Sequence, residues 1–220
     1  MSTNGGEFQA NFWWAQPWFG MVGAAHPTGL KMADYRRYFV PGGTYFFTVV
    51  TRGRVPLFRH TTARQLLGNV IRDCRRKWPF EINAFVLLPE HLHTIWSLPP
   101  GDAAYPRRWG WIKKEFTKCW LASGGVEQPM TPARRQRKER GVWQPRYWEH
   151  TIDEEHDFER HFDYVHYNPV KHEHVDCPKD WPFSSFHRWV KRDTYDQEWG
   201  CRRQGPLTFE DLNQTAMEFE

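Results

Sequence analysis

From Asp34 onward the apolar positions fall into short, well-separated blocks. Thr44–Thr51 (TYFFTVVT) follows a Pro41-Gly42-Gly43 turn and is dense in β-branched and aromatic residues, the pattern of a buried strand. Leu66, Leu67, Val70, Ile71 and Cys74 then recur at helical spacing, with Thr61 or Thr62 placed to cap that helix and Trp78-Pro79 to stop it. Phe80–Leu88 and Leu92–Leu98 read as the two strands of a hairpin around Pro89-Glu90. A second helix runs from Arg107 to about Leu121, with Trp111, Ile112, Phe116 and Cys119 on one side. Residues 122–142 form a base-rich loop bounded by Gly and Pro, and Arg146–Ile152 is a short strand. A third helix extends from about Asp153 through Tyr167 and ends at Asn168-Pro169, because a residue before proline disfavours the α conformation. The order β-α-β-β-α-β-α predicts an α+β fold. It is a ferredoxin-like split βαβ unit, an antiparallel sheet with helices on one face, plus an additional C-terminal helix that carries a tyrosine. Residues 176–200, rich in Trp, Pro and Phe, are expected to wrap the core.

Residues 1–31 show no sustained period and are interrupted by Gly, Pro and Asn, so we expect a poorly ordered extension there, a folded domain over 32–189 and a tail over 190–220. No run approaches the roughly 18 apolar residues of a membrane span, and the N-terminus lacks the basic start and apolar run of a secretory signal. The expectation is a soluble, cytoplasmic protein. Cys74, Cys119, Cys177 and Cys201 are widely separated and form no CxxC pair, which predicts free thiols. The 30 Lys and Arg against 26 Asp and Glu give a net charge of +4. Residues 1–31 are neutral and residues 207–220 carry four acids and no base, which leaves +8 on residues 32–206. A basic surface with interleaved aromatic rings suits single-stranded nucleic acid, although for any one Trp a place in the core is the commoner fate.

Candidate chemistry sits in two places. His91-Leu92-His93 lies at the start of a strand, so both imidazoles project from one face and offer half a divalent-metal site. On the last helix, Phe158, Phe162 and Val165 define the apolar stripe, whereas Tyr164 clusters with Asp157, His161 and Asn168 roughly 100° away, Tyr164 and Asn168 being an i, i+4 pair. Asn168 also reads as a helix cap before Pro169.

These residues resemble a family. Pro89-Glu90-His91-Leu92-His93 is similar to the His-hydrophobic-His (HUH) motif, and Asp163-Tyr164-Val165-His166-Tyr167-Asn168-Pro169-Val170-Lys171-His172 to the tyrosine motif, of the bacterial REP-associated tyrosine transposases, single-tyrosine relatives of the HUH transposases. Tyr35-Arg36-Arg37-Tyr38, the strand after Pro41, Trp143–His150 and Trp181-Pro182-Phe183-Ser184-Ser185-Phe186 extend the likeness from about Asp34 to Trp189. The resemblance implies a single-stranded DNA endonuclease and transposase acting on repetitive extragenic palindromes, with Tyr164 as nucleophile forming a 5′-phosphotyrosine link. It implies Mg²⁺ or Mn²⁺ held by His91 and His93, with Asn168 as third ligand where related chains often have Gln; His161 and His166 compete for that place. Arg36 and Arg37 would lie near the nucleotides beside the hairpin. Arg134, Arg135, Arg137 and Lys138, with Arg140, are placed to meet hairpin phosphates. Gln144, Arg146, Trp148 and His150 lie on or beside the strand before the tyrosine helix, and Trp148 fits the core equally well. Relatives work as a monomer or homodimer, and the sequence does not choose. The rival readings are a domesticated palindrome-binding protein that no longer cuts, and an unrelated hydrolase using the His pair.

Overall fold

The computed structural model describes residues 39–137, 139–209 and 212; the extension expected over 1–31 lies outside them. The elements in chain order are β1 (Thr44–Val50), α1 (Thr61–Lys77), β2 (Glu81–Leu87), β3 (His91–Ser97), α2 (Tyr105–Ala122), α3 (Pro132–Gln136), β4 (Trp148–Ile152), α4 (Glu155–Lys171) and α5 (Phe186–Val190). The strands form one antiparallel sheet in the order β2-β3-β1-β4. Helix α1 carries the chain from β1 past β3 to β2, and α2 carries it from β3 past β1 to β4, as a split βαβ unit requires. The turn before β1 needs Gly42, whose φ of 75° is left-handed.

Side chains alternate along each strand, so the two sheet faces bury different residues. Tyr45, Phe47, Val49, Leu92 and Trp96 pack with Leu67, Val70 and Ile71 of α1 and with Trp109, Ile112 and Phe116 of α2. Phe46, Ala84, Val86 and Ile95 point the other way, beneath α4. The additional helix is therefore a third layer, across the sheet from α1 and α2. Buried Arg108 on α2 locks the first layer: it donates to the Asp102 carboxylate (3.1 and 2.6 Å) and to the carbonyls of Trp78 and Pro79 (3.3 and 3.0 Å). A guanidinium in that position needs such partners to offset its lost hydration. The same contact holds the Asp102 carboxyl below its ordinary range.

Three expectations need correction. Helix α4 does not stop at Asn168 but runs to Lys171 with Pro169 inside it. Proline there removes the bond to the Val165 carbonyl. Tyr167 and Val170 are buried, however, and His172 N–H and His174 N–H close the end on the carbonyls of Asn168 (3.0 Å) and Pro169 (2.9 Å). Packing of the final turn outweighs the local preference of a residue before proline. Second, Cys177 and Cys201 form a disulfide, leaving Cys74 and Cys119 as free thiols. The chain reverses after α5, and Arg202 N–H reaches the Asp176 carbonyl (2.9 Å), which places the two cysteines side by side despite 24 residues between them. Third, β4 begins at Trp148 rather than Arg146, and the 122–142 loop holds the short α3.

The segment after α4 covers the edge strand β2, as the composition of 176–200 predicts. Ser184 bridges Val86, Ser185 N–H and Phe183 C=O bond to β2, and the indoles of Trp181 and Trp189 donate to the carbonyls of Leu87 (3.0 Å) and Asn83 (2.9 Å). An edge strand left open would be a template for another chain. Beyond Trp189, Tyr195 and Phe209 are buried in the same cluster as Phe162 and Val165. His166 ties this segment to α4. Its imidazole lies 2.7 Å from Ser185 Oγ and 3.2 Å from the Tyr195 oxygen, while the Tyr195 hydroxyl donates to Asp163 (2.6 Å).

Two outcomes follow. The Trp96 ring lies 4.3 Å from Trp109, 4.2 Å from Phe80 and 5.0 Å from Phe47, so Trp96→Ala should cost about 3–5 kcal/mol in urea denaturation; a loss below about 1 kcal/mol would contradict this packing. Burial lowers the His166 imidazole from its ordinary 6.5 to about 3. The unfolded chain then binds the extra proton, so the stability this group contributes is present above about pH 6.5 and lost as pH falls towards 3. His166→Gln should make stability fall less steeply over that window.

Candidate active site

Strand β3 opens with His91-Leu92-His93, and the alternation buries Leu92 against α1 and α2 while both imidazoles face α4. Each ring is held by one nitrogen. His91 Nδ1 meets Glu90 Oε1 at 2.8 Å, and His93 Nδ1 meets Thr48 Oγ1 at 2.9 Å, Thr48 being the register partner of His93 across the β1–β3 ladder. Among the described residues, the other nitrogen of each ring, Nε2, is buried with no hydrogen-bond partner, and so are the side-chain oxygen and nitrogen of Asn168. Orienting an imidazole through Nδ1 and leaving Nε2 over is how proteins present histidine to a metal. Two imidazole nitrogens and an amide oxygen on neighbouring elements form a donor set that a divalent cation fits.

Tyr164 lies beside this set, 1% exposed. Its ring is edge-on to His93 (centroids 5.3 Å) and to Phe46 (6.0 Å), and Phe209 covers it from the far side (5.6 Å). Because α4 continues past Pro169, Lys171 stands two turns beyond the tyrosine on the same face, with its ammonium 4.8 Å over the ring and donating to the phenol oxygen at 3.1 Å. Lys171 was absent from the sequence candidates; the i+7 spacing was the available signal, masked by ending the helix at Pro169. His172 closes the group, its ring 5.2 Å from that of His91 and its Nε2 buried without a partner. Burial, followed by the nearby His91, His172 and Lys171, holds His93 well below its ordinary value, and burial lowers His172 to about 4. Both shifts favour neutral rings at His93 and His172, with lone pairs available.

His161 and His166 do not join the pair. His161 Nδ1 turns to Asp157 (2.9 Å) and its ring stacks on His150, while His166 belongs to the Ser185–Tyr195 link. Asn168 differs from both: it is buried one turn after Tyr164 on α4, and its side-chain oxygen and nitrogen have no hydrogen-bond partner among the described residues.

The chain matches the family model "Transposase IS200 like" over residues 40–168. It is 46% identical over 169 residues to the REP-associated tyrosine transposase of Escherichia coli K12, covering 76% of this chain and 91% of that protein. The chain belongs to the REP-associated tyrosine transposases. A Haemophilus influenzae homologue is 38% identical over the same length, covering 77% of this chain and 94% of its own. Among solved structures, a REP-associated tyrosine transposase bound to a REP hairpin superposes with a TM-score of 0.64 at 42% identity, over 81% of this chain and 96% of that one.

The other described candidates of this transposase lie between Arg134 and Trp148. Arg135, Arg137 and Arg146 are exposed and Arg134 is partly so. Glu139 sits near Arg134 (3.9 Å) and accepts from Arg137 (3.0 Å), and Glu127 takes both arms of Arg140, so acids temper the charge of this loop. The loop is anchored near the His91 end of the sheet: Arg52 N–H bonds to Val142, and Gln144 N–H to Val50, the register partner of His91. Trp148 is buried against Phe46 (5.4 Å) in the α4 layer. Arg36, Arg37 and Lys138 lie outside the described residues. No helix among the described residues is long and apolar enough to cross a membrane.

Proposed function

We propose that the chain is a metal-dependent single-stranded DNA endonuclease and transposase that recognises repetitive extragenic palindrome hairpins and cleaves and rejoins DNA through a 5′-phosphotyrosine intermediate. The observation that carries this reading is the set of buried, unpaired atoms, His91 Nε2, His93 Nε2 and the Asn168 amide, beside a tyrosine whose oxygen receives a lysine ammonium. The hairpin as substrate is taken from the solved relative bound to one. Arg134, Arg135, Arg137 and Arg146 supply exposed guanidinium groups for its phosphates.

His91, His93 and Asn168 would hold the ion, and two imidazoles favour Mn²⁺ over the harder Mg²⁺. When bound, such an ion supplies Lewis-acid polarisation of the scissile phosphate and offsets transition-state charge. Glu90 and Thr48 fix the two rings, and burial favours the neutral form of His93. The Tyr164 oxygen attacks phosphorus, the bond to the 3′-oxygen breaks, and the phenolic proton ends on the released 3′-hydroxyl. The phosphodiester energy stays in the tyrosine ester, so a later 3′-hydroxyl reverses the step without ATP. Lys171 orients the nucleophilic oxygen and offers its charge to the arriving phosphate. Phe209 must withdraw for that phosphate to reach Tyr164.

With a labelled single-stranded oligonucleotide carrying a hairpin, and Mn²⁺ or Mg²⁺, the wild-type chain should form a covalent adduct on a denaturing gel. Tyr164→Phe should bind the hairpin equally well and form none; binding without an adduct by wild type, across both metals, would instead support a palindrome-binding protein that does not cut. Lys171→Met should lower the cleavage rate by about 10- to 100-fold, the range typical of losing one positioned charge, with hairpin affinity nearly unchanged. Thr48→Val should weaken Mn²⁺ binding about 10- to 100-fold by releasing the His93 ring, measured by calorimetry without DNA.

A further inference from the structure

A second group of metal-binding side chains lies one turn before Tyr164. His150 comes from β4, and Asp157 and His161 are an i, i+4 pair on α4. One ligand atom from each lies within 4.8 Å of the other two. The Asp157 carboxylate spans both imidazoles, Oδ2 lying 2.7 Å from His150 Nε2 and Oδ1 2.9 Å from His161 Nδ1. The two rings stack in parallel, with centroids 4.5 Å apart and 16° between planes. The group is buried on its inner side and open on its outer one: the His161 side chain is 3% exposed, Asp157 26% and His150 37%. Phe46 separates it from the first pocket, its ring lying 4.8 Å from His161 on one side and 5.5 Å from His93 on the other.

We propose that His150, Asp157 and His161 form a second divalent-cation site, of the two-imidazole, one-carboxylate kind, that clamps β4 to the first turns of the tyrosine helix. The donor set selects borderline ions such as Zn²⁺ over Mg²⁺ and Ca²⁺. The open side leaves room for water to complete the coordination shell. In the metal-free state the imidazole nitrogens bond to the carboxylate, and His161 Nδ1 also lies 2.9 Å from the Asp157 carbonyl. An entering ion takes the lone pairs of these two nitrogens, with the single proton of each neutral ring carried on its other nitrogen. The site is independent of the His91–His93 pocket and does not rest on the cleavage reading.

The test is equilibrium dialysis of tag-free, oxidised protein against Zn²⁺, with Cys177–Cys201 closed. His91→Ala/His93→Ala should retain one equivalent of Zn²⁺ that a further Asp157→Asn abolishes, and Zn²⁺ should raise the melting temperature of the first variant and not of the second. His150→Ala, at a half-exposed strand position that tolerates substitution, should abolish the same equivalent in the same background. Failure of folded His91→Ala/His93→Ala protein to bind Zn²⁺, or binding that survives both Asp157→Asn and His150→Ala, would overturn the proposal.

Discussion

Phe46 packs against α4 on the sheet face that α1 and α2 leave uncovered, and the other distances of the site are set from that contact. Its ring touches His93 on the neighbouring strand, Trp148 on the other neighbour, and His161 and Tyr164 one turn apart on the helix. A single aromatic side chain thus spaces α4 from β3 and fixes the angle at which the tyrosine meets the histidine pair. Interiors pack at close to crystalline density, so a shift of this ring is transmitted to both. The strand period does the rest: with Phe46 facing α4, Thr48 must also face it, and Thr48 then stands opposite His93 in the ladder and holds its ring.

The pocket's electrostatics run against its own stability. His91, His93, His172 and Lys171 converge in a buried space where Glu90 is the acid within hydrogen-bond reach of His91. Burial favours the neutral forms of His93 and His172, and the pocket holds desolvated polar atoms that nothing among the described residues satisfies. Such groups cost about 1–3 kcal/mol each when left unpaired. A ligand that engages these atoms would remove that cost.

Much of this arrangement was legible in the sequence because it depends on local periods. The alternation at His91-Leu92-His93 and the wheel position of Tyr164 against Phe162 and Val165 are properties of a strand and a helix whatever they pack against. The β-α-β-β-α-β order confines the sheet to few topologies. The rest depends on what is far away in the chain. Pro169 ends a helix by local preference and continues one when Val170 has a core to enter; that single turn brings Lys171 to the tyrosine. Cys177 and Cys201 show no motif because their pairing follows from a reversal after α5. His161 shares a helical face with Tyr164 and Asn168, so spacing alone made it a rival ligand, and only the approach of His150 from β4 shows that it is already engaged.

The segment after α4 has a structural task as well as a place near the site. Strand β2 is the edge of the sheet on the β3 side, and residues 181–189 cover it with bridges and indole donors. The chain then needs Tyr195 and the Cys177–Cys201 bond to return across α4, which brings Leu207 to the Tyr167 hydroxyl and Phe209 onto Tyr164. Edge protection and the contact on Tyr164 are therefore made by consecutive stretches of one polypeptide, joined to α4 through His166, Tyr195 and Asp163. The Ser185 and Trp189 contacts to β2 lie inside the loop that the Cys177–Cys201 bond closes, whereas Leu207 and Phe209 follow it. The contact on the Tyr164 ring is thus made by residues that follow the closed loop, separate from those that protect the sheet edge.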